Sequence, residues 1–118
     1  DATAMSGYPG AYHDYISVTS FSPDYLPAYY TNYGPGCNIS APGGDYKISA
    51  DAAKTYAEVL STVPSELSEY NGADYGFMQG TSMACPHVSG VAALGLSYAL
   101  EKGKKFTLDE FKTMILGE

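Results

Sequence analysis

Ser82 is the residue whose surroundings most resemble a reaction centre. It stands in Gly80-Thr81-Ser82-Met83-Ala84-Cys85-Pro86-His87-Val88, at the start of a long apolar run. A serine hydroxyl at a helix N-terminus sits among backbone N–H groups without intrahelical acceptors, at the positive end of the helix dipole. Those features stabilise the oxyanion that develops during acyl transfer. Gly80 has no side chain, so a substrate backbone can approach just before the serine. Pro86 lacks the N–H that would return to the Ser82 carbonyl, so regular bonding starts late in the first turn. The same position also suits a structural cap, for which serine is a preferred residue. From the residues alone, nucleophile and cap both stay open.

A nucleophilic serine needs a base, and the chain offers two histidines, His13 and His87. His87 follows Ser82 by five residues on the same predicted helix. At about 100° and 1.5 Å per residue it lies roughly 140° around and about 7 Å along, facing away. His13 sits in a loop-like stretch, and Asp74, the nearest acid, lies in a polar loop with nothing to place it beside a histidine. A zinc set of Cys37, Cys85, His13 and His87 is nominally available. No C-x2-C or H-x3-H pair supports it, and Cys85 and His87 fall on different helix faces. Cys37, at a strand start, and Cys85, in the first turn of a helix expected to be buried, read as unpaired small hydrophobes rather than a disulfide.

The elements around these residues follow from composition and period. Tyr15-Ile16-Ser17-Val18-Thr19 alternates as a strand does, and Asn38-Ile39-Ser40-Ala41 is a second short strand closed by Pro42-Gly43-Gly44. Residues 20–36 are mostly turns around the aromatic segment from Ala28 to Tyr33. Ala50 to Leu60 has helix-forming composition, although Val59 and Leu60 could equally start a strand into Val63. Pro64 to Tyr75 reads as a polar loop. From Met83 to Leu100 the chain is apolar on nearly every face, the mark of a helix buried at the centre of something. Thr107 and Glu110 form a capping-box pattern ahead of Phe111, Met114 and Ile115.

The chain has 118 residues, 45% hydrophobic and 16% charged, with a net charge of -7. That length fits one domain or part of one. So low a charge fraction suits a piece of a larger globule, some of whose faces are interior. The negative balance argues against nucleic-acid partners, which need a basic footprint. Lys102, Lys104 and Lys105 follow the apolar run, where positive charge suits a helix C-terminus. No stretch reads as long and apolar enough to span a bilayer. Asp1 opens the chain without a basic region or an apolar h-region, so any export signal is expected to have been removed or to lie upstream.

Gly80-Thr81-Ser82-Met83-Ala84, followed by Pro86-His87-Val88 and Gly90, resembles the active-site serine signature of the subtilases. It is not the G-x-S-x-G elbow of the α/β-hydrolases. Gly7-Tyr8-Pro9-Gly10-Ala11-Tyr12 resembles the subtilase segment that walls the S1 pocket. Tyr33-Gly34 and Ala41-Pro42-Gly43 are similar to the strand and turn that follow it, and the capped helix at Thr107 resembles the family's C-terminal region. Gly44 to Ala57 looks longer than its counterpart in simple subtilisins and reads as an insertion.

The resemblance implies an α/β fold: residues 1–118 as the C-terminal, serine-bearing part of a subtilisin-like three-layer fold, incomplete as a catalytic domain. It implies a serine-type endopeptidase with Ser82 as nucleophile. Gly80, Thr81 and Ser82 would serve the oxyanion and the substrate, and Gly7, Tyr8, Pro9 and Gly10 would line the pocket. The family's triad runs Asp, His, Ser in chain order. Both partners and the oxyanion asparagine are thus expected N-terminal to this chain, which alone should be inactive. Its partners would be the N-terminal part of the same domain and protein or peptide substrates. His87 becomes a structural packing residue. No cofactor is expected; the family allows a structural calcium, near the carbonyls of Gly10 and Tyr12. The location implied is secreted or at the cell envelope. The alternative is a catalytically dead subtilase serving as an interaction domain.

Overall fold

Parallel strands need a long crossover, and residues 22–38 supply one between β1 (Val18–Phe21) and β2 (Ile39–Pro42). A computed structural model describes residues 2–4, 7–48, 57–68 and 74–118. In it, β3 (Val59–Thr62) and β4 (Tyr75–Met78) form an antiparallel pair, followed by α1 (Thr81–Glu101) and α2 (Leu108–Leu116). The chain is therefore α/β, as expected, with one parallel strand pair and one antiparallel pair among the described residues.

The first strand starts later than its alternation suggests. The Tyr15 N–H donates to Tyr12 O at 3.1 Å, and the two rings lie 6.2 Å apart, which holds residues 12–15 in a turn. The second strand starts after Asn38, whose Oδ1 accepts from Ser17 N at 2.8 Å. In register, Val18 faces Ile39 and Ser20 faces Ala41. The crossover is irregular rather than helical. It is held by Ser22 N–H to Leu26 O at 2.9 Å and Ala28 N–H to Ser20 O at 3.0 Å.

Of the stretch expected to be helical from Ala50 to Leu60, residues 50–56 lie outside the described residues. Val59 and Leu60 take the other option and start β3. Within the expected loop, Ser65–Leu67 makes a turn of 3-10 helix, and Tyr75 opens β4. The Val63 N–H to Asp74 O bond, at 2.9 Å, extends the antiparallel ladder one step.

The core lies where α1 crosses the parallel pair. Ala41, Ala84 and Val88 are buried there, with Ile16, Val18, Ile39 and Ile115 packed around them. Ala84 and Val88 are four apart and share a face. The alanine methyl lets the first turn of α1 sit close to β2.

The rest of α1 departs from the expectation of a buried helix. Its apolar side chains are largely exposed in this chain, Leu94 at 73% and Leu100 at 70%. It departs in a second way. By length and composition alone this helix is long and apolar enough to cross a bilayer, because its alanines, valines and leucines after Pro86 outweigh Ser89 and Ser97.

The capping box of α2 is complete. Thr107 N–H donates to Glu110 Oε2 at 2.9 Å, and Glu110 N–H donates to Thr107 Oγ1 at 3.2 Å. Gly117 closes the helix in the left-handed conformation at φ 72°. Loss of an N-cap side chain costs about 1 kcal/mol. Thr107→Ala should therefore speed hydrogen exchange of the Glu110 amide about fivefold. An unchanged rate would show that the box contributes nothing here.

Candidate active site

Strand β4 runs through Gln79 and Gly80 directly into α1. Gly80 is the N-cap, at φ 147°, a conformation residues with side chains rarely adopt. Met83 N–H and Ala84 N–H return to Gly80 O at 2.9 and 3.2 Å. Ser82 is therefore the second helical residue, and the cap is Gly80. Its hydroxyl is free of the capping role and exposed. Its N–H belongs to the first turn, whose amides lack intrahelical acceptors.

The junction is fixed from behind. Gly80 N–H donates to Gly43 O at 2.9 Å. A Cβ on Gly43 would lie 2.0 Å from Ser20 Oγ and 2.7 Å from Gly80 O, so the two backbones meet with no room for a side chain. Gln79 Oε1 accepts from Tyr46 N at 2.8 Å, and its Nε2 donates to the Tyr29 hydroxyl at 3.2 Å. Buried Asp45 accepts from Tyr29 N and Lys47 N, each at 2.9 Å. The segment Gly44–Ile48, which opens the expected insertion, thus packs against the entry to α1. Tyr30 reaches the same spot. Burial holds its hydroxyl above the ordinary tyrosine range, so it keeps its proton.

Three cavities meet at Ser82. One, of about 380 Å³, lies between the β3–β4 pair and α1 and is lined by Val59, Val63, Met78, Met83 and His87. A second, of about 360 Å³, is lined by Gly7, Ser17, Thr19, Tyr30, Thr31 and Asn32 together with Gly80 and Thr81. A third, of about 630 Å³, is lined by Pro9, Gly10, Tyr15, Ile16, Cys85 and Pro86. The residues expected to form one pocket wall are therefore divided. Gly7 faces the second cavity, and Pro9 and Gly10 face the third. Tyr8 lines none of the three; it is exposed, with its ring 4.8 Å from that of Tyr12.

Counted along the helix, His87 lies about 140° around from Ser82. It lines the first cavity with Ser82, and it is exposed rather than packed. Its Nδ1 lies 2.8 Å from Met83 O. Helical side chains lean toward the N-terminus, and this contact draws the ring back a full turn. A carbonyl only accepts, so Nδ1 carries the proton and, in the neutral ring, Nε2 does not. Among the described residues, no carboxylate lines that cavity.

His13 lies against α2. Its Nε2 lies 4.0 Å from Asp109 Oδ1 on α2, and its carbonyl accepts from Lys112 Nζ. Asp74 accepts from Ser65 Oγ at 2.6 Å.

Both cysteines are free. Cys37 lines the second cavity and Cys85 the third. Cys85 is exposed, against expectation, because with Ala84 and Val88 turned inward the next position faces out. The nominal zinc set is thus not gathered among the described residues. In the turn that carries Gly10 and Tyr12, Gly7 O, Pro9 O and Tyr12 O accept from the Ala11, Tyr12 and Tyr15 amides.

Thr19, Tyr30, Thr31, Asn32 and Gln79 were not singled out from the sequence. They reach the site only through the crossover and the β4–α1 junction. The crowding of tyrosines at Tyr29-Tyr30 was the one signal available.

The model of the Subtilase family matches residues 1–117. An extracellular basic protease of Dichelobacter nodosus is 33% identical over 113 residues, which is 96% of this chain and 17% of that protein. An intracellular serine protease of Paenibacillus polymyxa is 36% identical over 94 residues, 80% of this chain and 23% of that protein. Among solved structures, a protease of Pseudoalteromonas arctica superposes with a TM-score of 0.66 at 36% identity. The match covers 90% of this chain and 29% of that one. The chain thus spans less than a quarter of the two curated relatives' lengths, and those relatives include extracellular and intracellular proteins.

Two outcomes follow from the junction. Gly43→Ala forces atoms into space already filled and should destabilise the protein by about 3 kcal/mol; an unchanged urea midpoint would contradict the packing. Thiol titration in denaturant without reductant should find both cysteines free, with Cys85 reacting first in the undenatured chain. A result of no thiols would contradict the geometry.

Proposed function

The chain belongs to the subtilase family, and on that premise we propose that it is the serine-bearing part of a serine endopeptidase. Ser82 Oγ attacks the scissile carbonyl, and its proton passes to a base. The Ser82 N–H donates to the oxyanion. The amine leaves with that proton, and water then hydrolyses the acyl-enzyme. The observation that carries this reading is the exposed Ser82 hydroxyl where three cavities meet, with capping done by Gly80.

The base is not assigned to this chain. His87 shares a cavity with Ser82 but has no carboxylate there to orient it, and His13 is engaged with α2. In this proposal the acid, the base and the oxyanion asparagine belong to the N-terminal part of the same domain. That part would also cover the apolar surface of α1 around Leu94 and Leu100. The second cavity, with Gly7 at its wall, carries hydroxyls and an amide but no charge. It would take a large uncharged side chain, apolar or aromatic, before the cleaved bond. Pro9 and Gly10 would flank it, with Tyr8 outside. Protein and peptide substrates, and a location outside the cytoplasm, complete the proposal, with no cofactor in the reaction.

The test is turnover of casein and of a peptide library. The purified chain alone should show none, and the chain joined to its N-terminal part should be active. Ser82→Ala should lower kcat at least about 10³-fold, whereas His87→Ala should chiefly lower stability. Robust activity of the isolated chain that survives His13→Ala would contradict the missing base. A folded full-length protein without turnover would favour the interaction-domain reading. A profile dominated by Lys, Arg or Asp before the cleaved bond would overturn the assignment of the cavity.

A further inference from the structure

The Tyr30 hydroxyl lies 2.8 Å from Ser20 Oγ, 2.9 Å from Gly43 O and 2.6 Å from Gly44 O. A phenol has one proton to give, and carbonyls only accept. The proton is therefore shared between the two carbonyls, and the Ser20 hydroxyl donates to the Tyr30 oxygen, which also meets the Gly80 backbone. Ser20 is buried at 1% exposure, and its N–H and Thr31 Oγ1 are 3.0 Å apart, so the donor is itself held in place.

Gly43 O is also the acceptor of Gly80 N–H. Its carbonyl thus sits between two donors, one on the crossover and one at the entry to α1. With no room for side-chain atoms between the backbones, a change in the direction of that carbonyl is transmitted to Gly80. Ser82 follows two residues later. Tyr30 also lines the cavity that contains Ser82, Gly80 and Thr81.

We propose that Tyr30 is a positioning residue for Ser82. Its hydroxyl fixes the Gly43 carbonyl that seats Gly80, and thereby the turn that presents the serine. The inference rests on Ser82 being the nucleophile. Tyr30 takes no part in the bond changes and acts through Gly43 and Gly80.

The experiment uses the full-length protease. An acylation burst with a p-nitrophenyl ester counts competent Ser82 sites, and a chromogenic peptide then gives kcat per counted site and KM. Tyr30→Phe keeps the ring and removes the donor. It should lower kcat per site about tenfold with KM within about twofold, because small misplacements of a reacting group act on rate more than on binding. Ser20→Ala leaves the Tyr30 proton in place but removes the bond that orients it, and should lower kcat per site by about twofold to threefold. If Tyr30→Phe reduces only the number of competent sites or the unfolding temperature, with wild-type kcat per site, Tyr30 is merely structural and the proposal is overturned. If Tyr30→Phe yields no countable sites, unchanged kcat per site in Ser20→Ala overturns it. A wild-type protein without a burst overturns the Ser82 assignment itself, and this inference with it.

Discussion

One backbone hydrogen bond joins the two halves of the site: Gly80 N–H to Gly43 O at 2.9 Å. It ties the end of the parallel pair to the start of α1, and three glycines make it feasible. Gly43 has no space for a Cβ, Gly44 sits at φ 79° with Ala57 O 2.8 Å from where its Cβ would be, and Gly80 sits at φ 147°. The Pro42-Gly43-Gly44 turn and the Gly80-Thr81-Ser82 segment, far apart in sequence, are therefore one structural unit. Without that seat, the strand-to-helix transition that exposes Ser82 would have nothing to lean on.

Helix α1 divides its labour along its length. Its first turns carry Ser82 outward and set Ala84 and Val88 on the strands. Its later turns carry Val91, Leu94 and Leu100, which nothing described here covers. Covering a leucine of that size contributes about 1.5–3 kcal/mol, so the later turns hold a large reserve of uncovered apolar surface. The chain spans less than a quarter of the two matched relatives' lengths.

The features legible in the sequence were local ones. The serine segment, the apolar run and the capping box at Thr107 are written in neighbouring residues; both helices formed there, but the apolar run expected to be buried is largely exposed in this chain. Other features depend on contacts across the fold. The Tyr30 hydroxyl meets Ser20, Gly43 and Gly44 only because the crossover folds back, and no spacing rule announces that. The Nδ1 of His87 finds Met83 O one turn back, a contact that a count of helical degrees does not show. Residues 7–10, which read as one pocket wall, line two cavities that share Ser17 and Val18, with Gly7 at one and Pro9 and Gly10 at the other. Strand β1 was drawn too early because Tyr15 alternates correctly but belongs to an aromatic turn.

The central claim is that Ser82 is the nucleophile of a complete domain. The most direct measurement is reaction of the full-length protein with a fluorophosphonate, followed by mass spectrometric mapping of the adduct. The account predicts one adduct, on Ser82, formed readily at neutral pH and absent after denaturation. An unmodified Ser82 in folded protein, or an adduct on a different serine, would contradict it.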